Sequence, residues 1–372
     1  MKKIGIVTIW SNNYGSVLQA YALQTIIERL GYQAEIIQHY REPLQKESQG
    51  RFKQILHSSP SFLLEYAMNY KRNRMLHQGY TDFKSSKLNI SKETYYQDSD
   101  FSELASQYDA IVVGSDMLWS NDFKDNWPFY YASFAPSEKI VTYAPSFGKN
   151  DLSKDEIEMC KPMIGRIAHL SCREEAGVSF IKEQFGLTAE HVIDPTLLLS
   201  GEEWSHLLGD MPRLVKDDYI LTYVFRGSCQ NGRKQLFNQL NSRKDKKLLF
   251  INGQEGKFKN NIYKGYFSPV EYVNLFRDAD FTVTDTFHGL MFSLIFNKPF
   301  IVLDKSSFGV SSDRQQSTLK TYGLEDRFVR PDIVVNDEMM LLDYTDIEHK
   351  ISVNREKSIN YLEKSLEDAT KY

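Results

Sequence analysis

The sequence predicts an α/β fold of two Rossmann-like domains facing a cleft. Apolar runs of strand length alternate with helix-period segments from the first residues onward. The alternation breaks at Asp194-Pro195-Thr196 and starts again at Tyr219. Residues 279–304, ADFTVTDTFHGLMFSLIFNKPFIVLD, read as a buried strand, a polar turn, an apolar helix and another strand. A chain of 372 residues is long enough for two domains, each with its own core.

Residues 4–9 form a short apolar run ending in a polar loop, 10–15. Val17, Leu18, Ala20, Tyr21, Leu23, Ile26, Ile27 and Leu30 follow at helical spacing, Gly31 stops that helix, and residues 34–37 begin the next strand. Residues 41–100 carry no strand signal and are rich in Lys, Ser, Gln and Tyr, so they read as an insertion of helices and loops. Strands are expected again at 110–113, 139–143, 168–171 and 191–193, with a helix over 174–185. In the second half, strands are expected at 219–225, 247–251, 281–284 and 300–303, with helices over 269–277, 289–296 and 315–322. A polar, helix-period tail from about residue 343 to 371 closes the chain. The expected domains are residues 1–205 with the helical insertion 41–100, residues 206–340, and a C-terminal helix in 341–372 that packs back toward the first domain. That packing would place the active cleft between the halves.

Composition narrows the function classes. Hydrophobic residues make up 41% and charged residues 25%, as in a soluble globular protein, and the net charge is -4. That balance argues against general affinity for nucleic acid or acidic membranes, so an anionic ligand must be met by locally grouped cations. The basic runs at 71–74 and 243–247 are short and read as solvated helix faces and loops. Cys160, Cys172 and Cys229 are too few and too far apart for a disulfide framework or a zinc site, which fits a reducing cytoplasm. Lys2 and Lys3 precede an apolar run that imitates a signal peptide until Ser11-Asn12-Asn13 breaks it. No run approaches the ~18 apolar residues of a membrane span, although transient visits to a membrane-bound substrate stay open. Oligomeric state is open too.

The turn Asp285-Thr286-Phe287-His288-Gly289 is where chemistry is expected. It follows a strand, and the helix is expected to open at Gly289 or Leu290. Ligands of open α/β sheets bind at the carboxyl ends of strands, and a helix N-terminus there favours an anion, phosphate above all. The loop at 11–16, with Asn13, Tyr14 and Gly15, sits in the same way before the first helix. It is no dinucleotide fingerprint, since Gly-x-Gly-x-x-Gly is absent. No cluster of Asp, Glu and His has metal spacing, and the candidate site loops 11–16, 114–119 and 285–289 hold no Asp-x-Asp pair, so metal independence is the expectation and no cofactor is implied.

Five segments together resemble the polysaccharide pyruvyl transferase family. They are residues 13–24 (NYGSVLQAYALQ), 113–119 (VGSDMLW), 171–174 (SCRE), 194–199 (DPTLLL) and 285–289 (DTFHG). Each is weak alone, but their order and spread over residues 4 to about 330 make the match global. The resemblance implies a fold similar to GT-B glycosyltransferases, phosphoenolpyruvate as the donor substrate, and a pyruvate ketal placed on two hydroxyls of a saccharide, free or lipid-linked, during capsule or exopolysaccharide assembly. Two positions depart from the family's pattern. Ser16 stands where many relatives are acidic, and Thr286 stands where many carry Arg, so an arginine from another loop must help hold the donor.

Ketal formation from phosphoenolpyruvate requires a proton delivered to the methylene carbon, a base for the attacking hydroxyl, and cations for carboxylate and phosphate. His288 is the first choice for acid/base work or for holding phosphate, against a plain helix-capping role. Asp285 either orients His288, acts as the base, or serves as an N-cap. Asp116 either takes sugar hydroxyls or a proton, or only forms a turn. Trp119 is either a sugar-stacking face or a core anchor. Arg173 and Arg226 follow expected strands and suit an anion clamp, against ordinary salt bridges, with Arg314 a third candidate. Gly289, Asn13, Tyr14 and Gly15 complete the expected binding set, the last three facing the acceptor. The rival readings are a nucleotide-sugar glycosyltransferase on the same architecture and a catalytically silent saccharide-binding relative.

Overall fold

The computed structural model describes residues 1–40, 60–96, 99–224, 233–251, 264–265, 267–306 and 311–371. In the first half, β1 (Lys3–Val7), β2 (Gln33–Tyr40), β3 (Ile90–Tyr96), β4 (Ala110–Val113) and β5 (Ile140–Thr142) form one sheet in the order β3-β2-β1-β4-β5. Every pair in it is parallel. Its helices are α1 (Tyr14–Arg29), α2 (Pro60–Lys87), the single turn α3 (Trp127–Tyr130), α4 (Lys154–Ile164), α5 (Glu175–Phe185) and α6 (Gly201–Leu208). Beyond β5, two short parallel strands, β6 (Ser171–Cys172) and β7 (Glu190–His191), pair with each other, and His169 bridges to Val141.

The second half repeats the pattern. β8 (Tyr219–Tyr223), β9 (Lys247–Ile251), β10 (Lys264–Gly265), β11 (Phe281–Thr284), β12 (Phe300–Leu303) and β13 (Phe328–Val329) lie in the order β10-β9-β8-β11-β12-β13, again all parallel. Among them run α7 (Arg233–Ser242), α8 (Pro269–Asp278), α9 (Phe287–Ile295) and α10 (Asp313–Tyr322), and α11 (Thr345–Ala369) ends the chain. In each sheet the strand order reverses beside the first strand, at β1/β4 and at β8/β11. The carboxyl ends of those strands open a crevice there.

Parallel sheets need both faces covered, and the central strands are apolar accordingly: every residue of β4, β11 and β12 is buried. One core runs through both halves, joining Leu18 and Leu23 to Tyr219, Tyr272 and Phe292. Separate cores lie on the far faces, around Trp119 and Trp127 in the first half and around Phe237 and Phe250 in the second. Capping boxes start α4, α6 and α8, where Ser153, Ser200 and Ser268 each pair with a Glu three residues on. Along α11, Tyr344 donates to the Lys298 carbonyl at 2.7 Å, whereas Tyr361 donates to the Thr142 carbonyl at 3.2 Å. The last helix therefore touches both halves.

Three expectations change. Residues 90–96 are the edge strand β3 and not part of a helical insertion, because Ile90 and, past a register shift, Thr94, Tyr95 and Tyr96 pair with β2, while the edge position tolerates Lys92 and Glu93. The strand expected at 168–171 shrinks to β6 and shifts toward Cys172. Helix α9 starts two residues earlier than expected, at Phe287, because Thr286 supplies the N-cap by accepting from the Gly289 amide.

Candidate active site

Between the halves lies a cleft of about 220 Å³, lined from the first half by Asn13, Ser16 and Asp116 and from the second by Tyr223, Thr286, His288, Lys305 and Arg314. All come from the ends of β1, β4, β8, β11 and β12 or from helix starts beside them. The topology thus brings parts of three of the sequence segments, 13–24, 113–119 and 285–289, around one space.

Thr286 shapes the floor of this cleft. Its hydroxyl accepts from the Gly289 amide at 2.9 Å and lies 3.0 Å from the Thr284 hydroxyl. Gly289 is glycine because a Cβ there would overlap the Thr284 and Thr286 hydroxyls. Its amide therefore serves the cap and offers nothing to a ligand, contrary to the expected binding role. The Phe287 and His288 amides, in the first turn, make no hydrogen bond among the described residues.

His288 is 9% exposed, and its Nε2 faces Asp194 Oδ2 at 3.7 Å. Its other edge meets Gly15, where a Cβ would overlap Nδ1. Asp194 is a residue whose role the sequence did not disclose, since Asp194-Pro195-Thr196 reads there as a pattern break and a family segment. Its Oδ1 accepts from the Thr196 amide at 3.0 Å and hydroxyl at 2.7 Å, and its Oδ2 accepts from Arg173 at 3.1 Å and Ser115 at 3.3 Å. Burial opposes the Asp194 charge, but His288, then Arg173 and Thr196, outweigh it and hold the carboxyl well below its usual range.

Asp285 neither orients His288 nor caps the helix. Its carboxylate is buried in an ion pair with Arg233 at 2.9 Å, and its carbonyl accepts from Lys305 at 3.2 Å and Gln315 at 2.9 Å. The carboxylate that enters the cleft is Asp116. Its Oδ2 accepts from the Ser16 hydroxyl at 3.0 Å and its backbone has φ 83°. A non-glycine residue in that region costs about 1–3 kcal/mol, a strain that clusters at functional sites.

The cations divide into spoken-for and available. Arg173 is 4% exposed and bonds Glu174 at 2.8 Å as well as Asp194, with its guanidinium 4.2 Å from the Phe287 ring centre. Burial works against its charge, but Glu174, Asp194 and Asp116 raise its pKa further. It is therefore a buried structural cation behind the cleft and does not line it. Arg314, in the first turn of α10, makes no ion pair among the described residues and reaches both the cleft and a neighbouring 190 Å³ chamber past Met117. Lys305, unremarked in the sequence, lines the cleft too, and burial followed by the Arg314 charge pushes its pKa down to about 8. Arg226 lies outside the described residues.

Two expected ligand contacts are core residues. Trp119 is fully buried, stacked on Tyr131 at 4.9 Å, with its indole N–H donated to the Tyr130 carbonyl. Tyr14 is buried against Tyr272 at 4.4 Å and donates its hydroxyl to the Phe267 carbonyl at 2.6 Å. Asn13 caps α1, accepting from the Gly15 amide at 2.9 Å, and still borders the cleft. Among the described residues no three His, Cys, Asp or Glu side chains group closely enough to hold a metal ion.

Comparison with protein-family models matches residues 13–307 to "Polysaccharide pyruvyl transferase". The chain belongs to the polysaccharide pyruvyl transferase family. The family match takes in every cleft residue except Ile9 and Ser11, just before its start, and Arg314, just past its end. Comparison with curated proteins gives no match. Among solved structures, UDP-GlcNAc 2-epimerase from Methanocaldococcus jannaschii is similar, with a TM-score of 0.54, 12% identity and coverage of 93% of this chain and 92% of that one. A putative UDP-N-acetylglucosamine 2-epimerase from Listeria monocytogenes gives a TM-score of 0.53 at 11% identity, over 97% and 90% of the two chains. These likenesses give this pyruvyl transferase family member a GT-B-like fold. No helix among the described residues is long and apolar enough to cross a membrane.

Proposed function

We propose that this chain transfers pyruvate from phosphoenolpyruvate to two hydroxyls of a saccharide as a ketal, in the cytoplasmic assembly of a surface polysaccharide such as a capsule or exopolysaccharide. The observation that carries the reading is the convergence of His288, Lys305 and Arg314 on one small cleft, in a chain matched to the family over residues 13–307. A compact donor with a carboxylate and a phosphate suits three basic side chains and the two first-turn amides of α9.

In this reading a proton reaches the methylene carbon of the donor, and C2 becomes oxocarbenium-like. One sugar hydroxyl adds to C2 and gives up its proton, and the second adds as the C–O bond to phosphate breaks. Of the two hydroxyl protons released, one balances the proton taken up at carbon and the other leaves with phosphate. His288 is assigned the acid/base work, Arg314 and Lys305 the donor's anionic groups, and Asp116 the acceptor hydroxyls. Arg314 takes the part that an arginine at position 286 would play, since Thr286 is the cap of α9.

The test is phosphate release from phosphoenolpyruvate with a panel of sugar acceptors, metal-free and without added cofactor. Release that needs both substrates is the expected result, with His288→Ala lowering turnover by ~10²–10⁴. If only a UDP- or GDP-sugar raised the melting temperature, the assignment would pass to nucleotide-sugar transfer. No binding of any donor would leave a silent saccharide-binding protein.

A further inference from the structure

The imidazole of His288 has two unlike ends. Its Nε2 is buried, has no hydrogen-bond partner, and points at Asp194 Oδ2, 3.7 Å away. Its Nδ1 edge is turned to Gly15, whose neighbours Asn13 and Ser16 line the cleft together with His288 itself. We infer that Asp194 is a positioning residue that keeps the proton of neutral His288 on Nε2, so that Nδ1 is the atom exchanging protons with substrate. The assignment of proton transfer to His288 rests on the proposed pyruvyl transfer; the tautomer does not.

The surroundings support this orientation. On the Nε2 side, Asp194 is the acceptor, and the other polar groups around it, Arg173 and Ser115, already donate to its Oδ2. A bare Nε2 lone pair would face a carboxylate there with no proton between them, whereas Nε2–H meets an acceptor after a small ring rotation. The charged groups on the cleft side are Asp116, Lys305 and Arg314, with Ser16 hydrogen-bonded to Asp116. Gly15 contributes the missing side chain: any Cβ would fill the approach to Nδ1.

Replacement of Asp194 by Asn should reverse the tautomer, for a reason visible in the hydrogen bonds. Oδ1 is held by both the amide and the hydroxyl of Thr196. An asparagine that keeps its oxygen on this pair, the shorter of the two sets of bonds, gives up the bonds that Oδ2 accepts from Arg173 and Ser115 and presents its NH₂ there, a donor facing Nε2. The neutral ring would then carry its proton on Nδ1 and could no longer accept there.

The experiment is NMR of the full chain with ring-¹³C,¹⁵N-histidine, with the His288 signals assigned by their loss in His288→Gln and recorded from pH 6 to 9. The neutral ring of the parent is expected as the Nε2–H tautomer and that of Asp194→Asn as the Nδ1–H tautomer, with phosphate release from phosphoenolpyruvate lowered ~10²–10⁴-fold. Donor binding, read from the melting-temperature shift with phosphoenolpyruvate, should persist in the variant. An Nδ1–H tautomer in the parent overturns the inference without recourse to any variant. So does an Nε2–H tautomer that survives in folded Asp194→Asn. If the tautomers behave as expected but the parent neither binds nor cleaves phosphoenolpyruvate, the positioning role stands and the pyruvyl-transfer reading falls.

Discussion

At the scale of single residues, the site separates charges that hold the protein together from charges that are open to the cleft. Arg173 and Arg314 lie on either side of that line, both within cation–π reach of the Phe287 ring. Removal of Arg173 strands the buried carboxylates of Asp194 and Glu174, and breaking a buried pair costs about 3–5 kcal/mol. Arg173→Ala should therefore lower the melting temperature sharply. Arg314→Ala should leave it nearly unchanged and raise KM for phosphoenolpyruvate roughly 10-fold or more, the equivalent of one charge-assisted hydrogen bond. Steady-state kinetics beside thermal melts distinguish the two, and a reversal of the two phenotypes would exchange the roles. Lys305 adds a pH signature. Its folded pKa of about 8 lies below the ~10.4 of an unfolded lysine, so between those values the unfolded chain binds more protons and stability rises with pH. Below about pH 8 the buried charge is carried in full, and its penalty is relieved only as pH climbs through that window. Urea unfolding of the parent and Lys305→Met at pH 8 and 10 should show the parent gaining on the variant at the higher pH. Equal shifts would mean that Lys305 titrates normally.

At the scale of elements, two helix starts meet across the cleft, and their contact is glycine against histidine. α1 begins after Asn13 with Gly15 in its first turn, and α9 begins after Thr286 with His288 in its first turn. Gly15→Ala puts a methyl group into the imidazole. Because the helix accommodates alanine well, the melting temperature should stay near that of the parent while turnover falls at least ~10-fold through displacement of His288. Loss of fold with no selective loss of turnover would show that Gly15 is only a packing residue. The same pairing explains what was legible beforehand. Segments 13–16 and 285–289 stood out because a polar turn between an apolar strand and a helix has few other uses. The start of α9 differs from the expectation because Thr286, one of several polar residues in the turn, gives no signal that its hydroxyl reaches back to Thr284 and forward to Gly289.

At the scale of the whole molecule, the halves are joined through Tyr14, which carries the first turn of α1 into a cluster with Tyr80, Tyr223 and Tyr272. Its hydroxyl bond to Phe267 ties that turn to the second half. Tyr14→Phe should cost about 1 kcal/mol. Tyr14→Ala should cost about 3–5 kcal/mol, as aromatic truncations in cores do, and should loosen both walls of the cleft. Chemical denaturation of the two variants tests this, and a negligible effect of Ala would show that the halves are held elsewhere. The alternation of apolar strands and periodic helices was enough to determine two Rossmann-like halves and the break between them, because a parallel strand buried on both faces must be apolar along its length. It also put residues 286–288 at the edge of the cleft, since polar residues after such a strand lie at its open end. Which side chains enter the cleft was decided only by the tertiary structure. Asp285 and Asp194, or Arg173 and Arg314, are alike in sequence as polar residues near strand ends or helix starts. Their roles differ because Asp285 finds Arg233, Asp194 finds Arg173 and His288, and Arg314 finds no carboxylate among the described residues. Those pairings join residues 21 to 94 positions apart, and no local pattern of charge or hydrophobicity encodes them.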